Sequence, residues 1–296
     1  MGRILITGAT GFVGGYLLPT LLRQHEVFAL ARKEPASDVS AGLQWLRQDL
    51  TRPLEVSQLP ERVDSVIHLA QSKFYRQFPE GAQDIFAVNI ESTFHLLEYA
   101  RKAGVACFIF ASSGGVYGYS YERLVETDPV SPLNFYLSSK YTAELLLANY
   151  QQYFRTIVLR LFFAYGPGQE GMLIPSLLDR VRAGQEITIE GNPGIAVNPI
   201  YVEDAIRVFE PALDLRTSEL FNVAGDEAVT ITDLVHLMEE VVGKKAVVRY
   251  AQAKKQGDLV GENARMKQLL GVIPQTSLVQ GLRKTVQALD RSGGER

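Results

Sequence analysis

Short apolar runs alternate with helical patterns along the chain as far as Leu161. Residues 3–6, 27–31, 44–47, 65–69, 107–112 and 156–161 are predicted strands, most of them dominated by Val, Ile, Leu, Phe or Ala. Residues 14–23, 83–103 and 134–154 are predicted helices. Strands that are apolar at every position, rather than at alternate ones, are buried on both faces. Separated by helices, they predict an α/β fold with a doubly wound parallel sheet. Beyond Leu161 the rhythm breaks. Gly166-Pro167-Gly168, Gly191-Asn192-Pro193-Gly194 and Gly257 punctuate shorter elements, which predicts a smaller, interleaved C-terminal lobe. The expected division is 1–165 for the main domain, with 195–225 returning to it, and 166–194 with 226–296 for the lobe.

The first strand runs into Thr7-Gly8-Ala9-Thr10-Gly11-Phe12-Val13-Gly14, three glycines spaced G-x-x-G-x-x-G. Gly8 lets the chain turn tightly off the strand, Gly11 lets a backbone approach a pyrophosphate, and Gly14 lets the following helix pack closely on the sheet. The N–H groups and positive dipole end of that helix then face the phosphates. The pattern predicts a Rossmann-type dinucleotide cradle, with Gly8, Thr10, Gly11, Phe12, Val13 and Gly14 along the cofactor. The end of the second strand bears on which dinucleotide. A carboxylate there binds both adenosine ribose hydroxyls and would repel a 2′-phosphate. This chain has Ala31 instead, followed by Arg32 and Lys33. The cofactor is NAD or NADP, and Arg32 inclines the reading toward NADP; the alternative for Arg32 and Lys33 is a pair of solvated surface cations.

A second constellation is Tyr136-Leu137-Ser138-Ser139-Lys140. Residues four apart share a helix face, so Tyr136 and Lys140 point the same way. A tyrosine is a poor base at its ordinary pKa of about 10. A neighbouring ammonium and an oxidised nicotinamide both favour the phenolate, which can then take a proton from a substrate hydroxyl while hydride leaves the same carbon. Upstream, the strand Phe108-Ile109-Phe110-Ala111 ends in Ser112-Ser113-Gly114-Gly115. Strand carboxyl ends are where open α/β sheets bind ligands.

Composition narrows the classes further. The 296 residues are 46% hydrophobic, enough for a large core and a smaller lobe. With 30 Lys and Arg against 33 Asp and Glu, the net charge of −3 offers no field for nucleic acid or an anionic membrane. The single cysteine, Cys107, reads as a buried structural thiol. His25, His95 and His236 lack metal-ligand spacing, so no metal site is expected. His68, at a strand end, reads as a satisfied structural histidine. No apolar run reaches membrane-spanning length and the first strand starts at once, so a cytoplasmic protein is expected.

In this order the motifs resemble the extended short-chain dehydrogenase/reductase superfamily, and within it the NAD-dependent epimerase/dehydratase family that includes UDP-glucose 4-epimerase. The resemblance covers nearly the whole chain. It implies that Tyr136 and Lys140 are the catalytic pair, with Ser113 as the active-site hydroxyl. Asp49 and Leu50 are similar to the pair that contacts adenine. His68-Leu69-Ala70 resembles the strand-end motif along the cofactor, so Leu69 and Ala70 join the cofactor residues. Asn89 matches the family's helix asparagine. The 4,6-dehydratases of the family follow the Ser/Thr with Asp-Glu, which supply acid and base. Gly114-Gly115 can do neither, which argues against dehydration. Phe163 stands where the family often has an asparagine, 196–199 lacks the usual diphosphate arginine, and Lys255 replaces a second arginine.

The function so implied is an NAD(P)-dependent nucleotide-sugar epimerase working through a 4-keto intermediate. The alternatives are an NADPH-dependent reductase of a 4-keto sugar nucleotide or related carbonyl, and a non-catalytic sensor or scaffold. An intact Ser113/Tyr136/Lys140 set argues against the last. A homodimer is also expected. Helix 83–103 carries Ile85, Phe86, Val88, Phe94, Leu96, Leu97 and Tyr99, and helix 134–154 carries Tyr141, Leu145, Leu146, Leu147 and Tyr150. Helices apolar on more than one face need a second partner, and relatives in the resembled family pair these two helices across a two-fold axis.

Overall fold

The protein, represented by a computed structural model, is described for residues 2–33, 40–253 and 256–293. Six strands come first: β1 (Arg3–Thr7), β2 (Glu26–Ala31), β3 (Leu43–Arg47), β4 (Ser65–His68), β5 (Cys107–Ser113) and β6 (Arg155–Leu161). Two short strands follow, β7 (Glu186–Glu190) and β8 (Ala196–Val197), before β9 (Glu219–Val223) completes a seven-stranded sheet in the order β3-β2-β1-β4-β5-β6-β9. From β3 through β5 every neighbour is parallel, in registers such as Ile4 with Val27 and Ile6 with Ile67. All of the predicted strands are present, with ends moved by one residue at most. Their continuity is explained by position: β2, β4 and β5 are buried along almost their whole length.

The chain separates into two compact units. The first comprises Met1–Val116, Val130–Arg160 and Ile206–Phe221, and the second Tyr117–Pro129, Leu161–Ala205 and Asn222–Arg296. Residues 117–129 thus count with the second unit, and of 195–225 only Ile206–Phe221 goes with the first. The core of the first unit sets Leu5, Phe28, Leu30, Val66, Phe108 and Phe110 of the sheet against helices α3 (Ser92–Ala103) and α4 (Phe135–Asn149). The helix after β1, α1, runs Phe12–Leu21, so it opens two residues before Gly14, with Gly11 as its N-cap.

The predicted helix 83–103 is two helices, α2 (Ala82–Phe86) and α3, joined by a π-helical turn at Ala87–Glu91. A π turn keeps the backbone hydrogen-bonded while adding a residue, so its sequence still reads as continuous helix. α4 begins where Asn134 accepts the N–H of Leu137 and stops at Asn149 rather than 154.

In the second unit β7 pairs in parallel with β11 (Val247–Ala251), while β8 pairs antiparallel with β10 (Val229–Thr230). Helix α5 (Leu173–Ala183) packs on the helix Ile231–Val242. Asn198 is fully buried and donates to the carbonyls of Gly225 and Gly261 at 2.9 and 2.8 Å. It is a structural pin of this unit. Among the described residues Phe163 is the only non-glycine with a positive φ, at 47°.

Candidate active site

The residues predicted for the chemistry all lie in the first unit, Ser113 at the carboxyl end of β5 and Tyr136 and Lys140 on α4. The chain goes outward from β1 to β2 and β3 and then crosses back to β4, so the switch of direction falls beside β1, where open sheets bind ligands. Gly8 leaves β1 at φ 73°, and a Cβ there would lie 2.7 Å from the N of Ala70 after β4. A Cβ on Gly14 would lie 2.1 Å from the carbonyl oxygen of Gly8 and 2.7 Å from Cα of Ala9. Both are contacts with rigid backbone, so only glycine lets the loop fold under the helix start. Gly11 is exposed and caps α1 without a side-chain acceptor. The first-turn N–H groups are thereby left to an external anion, with Thr10 exposed beside them and Phe12 and Val13 half-buried. This donor set fits the pyrophosphate of a dinucleotide.

The strand ends are stitched together by His68. Its Nδ1 lies 2.6 Å from Oγ1 of Thr7, its Nε2 lies 3.0 Å from Oγ1 of Thr93, and Thr7 Oγ1 also accepts the N–H of Ala70. Burial, aided by the Lys140 ammonium, lowers its pKa from 6.5 to about 3. The ring is a neutral linker of β1, β4 and α3, as its structural reading anticipates. Because the unfolded chain binds a proton that the folded ring refuses, stability should fall as pH drops from 6.5 towards 3. Urea unfolding of the wild type and His68→Gln across that range measures it, and the variant should show the shallower slope.

Tyr136 and Lys140 lie one turn apart on α4. Lys140 is 2% exposed; its Nζ donates to the carbonyl of Ala111 on β5 at 2.9 Å and sits 4.9 Å from the Phe110 ring centroid. Burial brings its pKa down to about 7. The Tyr136 hydroxyl donates to Oε1 of Gln71 at 2.8 Å, and the Tyr75 ring is 5.5 Å away, centroid to centroid. Burial first and the Tyr75 hydroxyl second hold the phenol above its ordinary range. The lowering expected from the residues is therefore not a property of the protein alone. Ser113 ends β5, and its Oγ accepts the N–H of Gly115 at 3.2 Å, which leaves the hydroxyl proton to be donated elsewhere. A Cβ on Gly115 would lie 2.8 Å from Cδ2 of Leu137, so the start of α4 rests directly on this turn.

Asn89, on the π turn, accepts the N–H of Ser72 at 2.9 Å and donates to Oγ of Ser139 at 2.8 Å. It ties the segment after β4 to α4. Gln71, the partner of the Tyr136 hydroxyl, has no sequence signal of its own beyond following Leu69-Ala70. At the far end, Asp49 is engaged with the backbone N–H and hydroxyl of Thr51, contacts which, with the cations Arg32 and Arg52, hold its carboxyl below the usual range. Arg32 is exposed and Ala31 buried beside it; Leu50, Leu69 and Ala70 are half-buried along the same strand ends. Lys255 lies outside the described residues. The Cys107 thiol is buried, with its pKa raised to about 11 by that burial. No helix among the described residues is long and apolar enough to cross a membrane.

Known proteins of this architecture are plentiful. The chain is similar to an uncharacterized UDP-glucose epimerase of Bacillus subtilis, 29% identical with 97% of this chain and 98% of that protein aligned. It is also similar to dTDP-4-dehydro-6-deoxy-D-allose reductase of Streptomyces bikiniensis, at 29% identity over 96% of this chain and 95% of that one. Among solved structures, UDP-glucuronic acid 4-epimerase from Bacillus cereus in complex with UDP-glucuronic acid and NAD superposes with a TM-score of 0.87 at 26% identity, covering 98% of this chain and 99% of that one. The fold and the resemblance carried by the motifs agree with these likenesses. Residues 4–224 match one family over most of the chain's length, and the protein belongs to the NAD dependent epimerase/dehydratase family.

Proposed function

We propose that the protein is an NAD(P)-dependent nucleotide-sugar epimerase that inverts a hydroxyl-bearing carbon through a 4-keto intermediate. The observation that carries this reading is the pairing of Tyr136 and Lys140 on one face of α4, with Lys140 bonded to the Ala111 carbonyl two residues before Ser113 on β5. Tyr136 Oη takes the proton of the sugar hydroxyl and later returns it, while Ser113 donates a hydrogen bond to the same oxygen. Bound oxidised nicotinamide supplies a hydride acceptor and a positive charge beside the phenol. Lys140 adds its own charge, and together they offset the burial that keeps Tyr136 protonated. Gly114 and Gly115 offer no acid or base, so the keto sugar is not dehydrated.

The similar reductase supports a second reading, in which Tyr136 donates the proton while NADPH reduces a 4-keto sugar. The two separate by net redox change. Incubated with UDP- or dTDP-hexoses and NAD, an epimerase gives the inverted sugar by NMR with no net rise in NADH absorbance. Stoichiometric loss of NADPH on a 4-keto sugar would decide for the reductase, and neither outcome would return the sensor reading.

For the cofactor we propose that NADP is accepted as well as NAD, because Ala31 presents no carboxylate and Arg32 is exposed at the ribose end. Arg32→Ala should weaken NADP(H) by about 1–3 kcal/mol and leave NAD(H) nearly unchanged, since only NADP(H) offers a phosphate there. Fluorescence titration with NADPH and NADH tests this. Equal losses, or none, would make Arg32 a plain surface cation. Ala31→Asp should move the preference towards NAD.

The dimer is proposed on a smaller surface than the sequence suggests. Ile85, Leu96, Leu97 and Tyr99 turn into the core, while Phe86 is 50% and Phe94 44% exposed on the α2–α3 side and Leu145 is 50% exposed on α4. A two-fold pairing of α3 and α4 would cover them. Light scattering at micromolar concentration should give twice the monomer mass of 32.8 kDa. Phe94→Glu with Leu145→Glu should return it to one.

A further inference from the structure

Behind the Tyr136–Lys140 pair the first unit buries an ion pair that the proton transfer itself does not use. Glu144 follows Lys140 by one turn, so Tyr136, Lys140 and Glu144 run along one face of α4. The Glu144 carboxylate accepts Nε of Arg160, on β6, at 3.0 Å and Nη2 at 2.5 Å. It also accepts the hydroxyl of Ser112 on β5. Arg160 is 3% exposed and Glu144 7%. Such a pair is weak evidence for stability, since an apolar pair of similar volume often does as well or better. Its geometry points instead at the site. Ala111, Ser112 and Ser113 are consecutive at the end of β5. Lys140 holds the first by its carbonyl, Glu144 holds the second by its hydroxyl, and the third is the hydroxyl assigned to the substrate oxygen.

We propose that Glu144 is a positioning residue: it fixes the strand end that carries Ser113 against the helix that carries Tyr136, and it sets its charge one helical turn from Lys140. The inference rests on the roles given above to Ser113, Tyr136 and Lys140. The groups around Lys140 are His68 of β4, Phe110 and Ala111 of β5, and Tyr136 and Glu144 of α4, with Arg160 of β6 beyond Glu144. Burial drives Lys140 towards its neutral form, and the charge of Glu144 opposes it. His68 is neutral and Tyr136 is a phenol, so neither supplies that anion.

The test has one arm that needs no substrate. Urea unfolding is measured for the wild type, Glu144→Gln, Lys140→Met and the double variant. The coupling between the two positions should be favourable at about pH 6 and vanish at about pH 9, where Lys140 has lost its proton. Coupling that is equal at both pH values overturns the role given to that charge. If Glu144→Gln does not fold, the cycle is repeated with Arg160→Met, which removes the cation left without its partner. In the second arm, Glu144→Gln and Ser112→Ala should each lower turnover on the order of tenfold with KM little changed. Glu144→Gln should also move the pH profile to lower pH, and Ser112→Ala should not. Undiminished turnover in both variants overturns the positioning role. A pH-dependent coupling in a wild type that turns over no sugar would support the role of the charge and sink the reaction instead.

Discussion

Tyr136→Phe is expected to fold, to bind NAD(H) like the wild type, and to turn over its sugar about 10²-fold more slowly or worse. The substitution removes one oxygen, whose partner in the protein is the exposed Gln71 side chain, so the loss in stability should be small. What disappears is the oxygen that the proposed mechanism uses to accept the hydroxyl proton. Ser113→Ala should cost less, because it withdraws a hydrogen bond and leaves the base. Lys140→Met should impair both turnover and dinucleotide binding. Circular dichroism, NADH fluorescence and the rate on an identified nucleotide sugar check the three together. A Tyr136→Phe enzyme with near-normal turnover would end the proposed mechanism.

The largest structural effect is expected from one methyl group. In Gly14→Ala the new Cβ would sit 2.1 Å from the Gly8 carbonyl oxygen and 2.7 Å from Cα of Ala9. Neither atom belongs to a side chain that can rotate away. The loop must move off the helix start, and overpacking against backbone should cost about 3 kcal/mol. The displaced loop also re-aims the first-turn N–H groups, so dinucleotide affinity should fall with stability. Gly15→Ala is the matched control: it lies one residue on, and a Cβ there meets nothing within 4 Å. If Gly14→Ala and Gly15→Ala unfold at the same urea concentration, the close approach has no energetic meaning.

What the sequence revealed and what it hid divide along physical lines. The strands were legible because burial on both faces leaves an unbroken apolar run, which periodicity detects. Tyr136 and Lys140 were legible as neighbours because a helix converts a spacing of four into a shared face. The π turn at Ala87–Glu91 was not, since residue types do not report which carbonyl each N–H reaches. Nor was the contact of Tyr136 with Gln71, 65 residues away, or the grip of Glu144 on Ser112 and Arg160. Those depend on which strand ends become neighbours. The second unit was read only as a break in rhythm. Its β7–β11 pair joins segments about sixty residues apart and half polar in pattern, which no local window can pair.

Phe163 carries a cost that its neighbours do not. A bulky side chain at φ 47° works against its own backbone, where asparagine or glycine would sit without complaint. Strain of this kind is worth about 1–3 kcal/mol and persists only when something else holds it. Under laboratory evolution for heat tolerance, position 163 is therefore where the main chain itself rewards a change. Under selection for turnover on the native sugar, it is where such a reward should go unclaimed. The two regimes would pull this single residue in opposite directions, and its fate in each would tell whether the half-buried ring serves the substrate or only the accidents of descent.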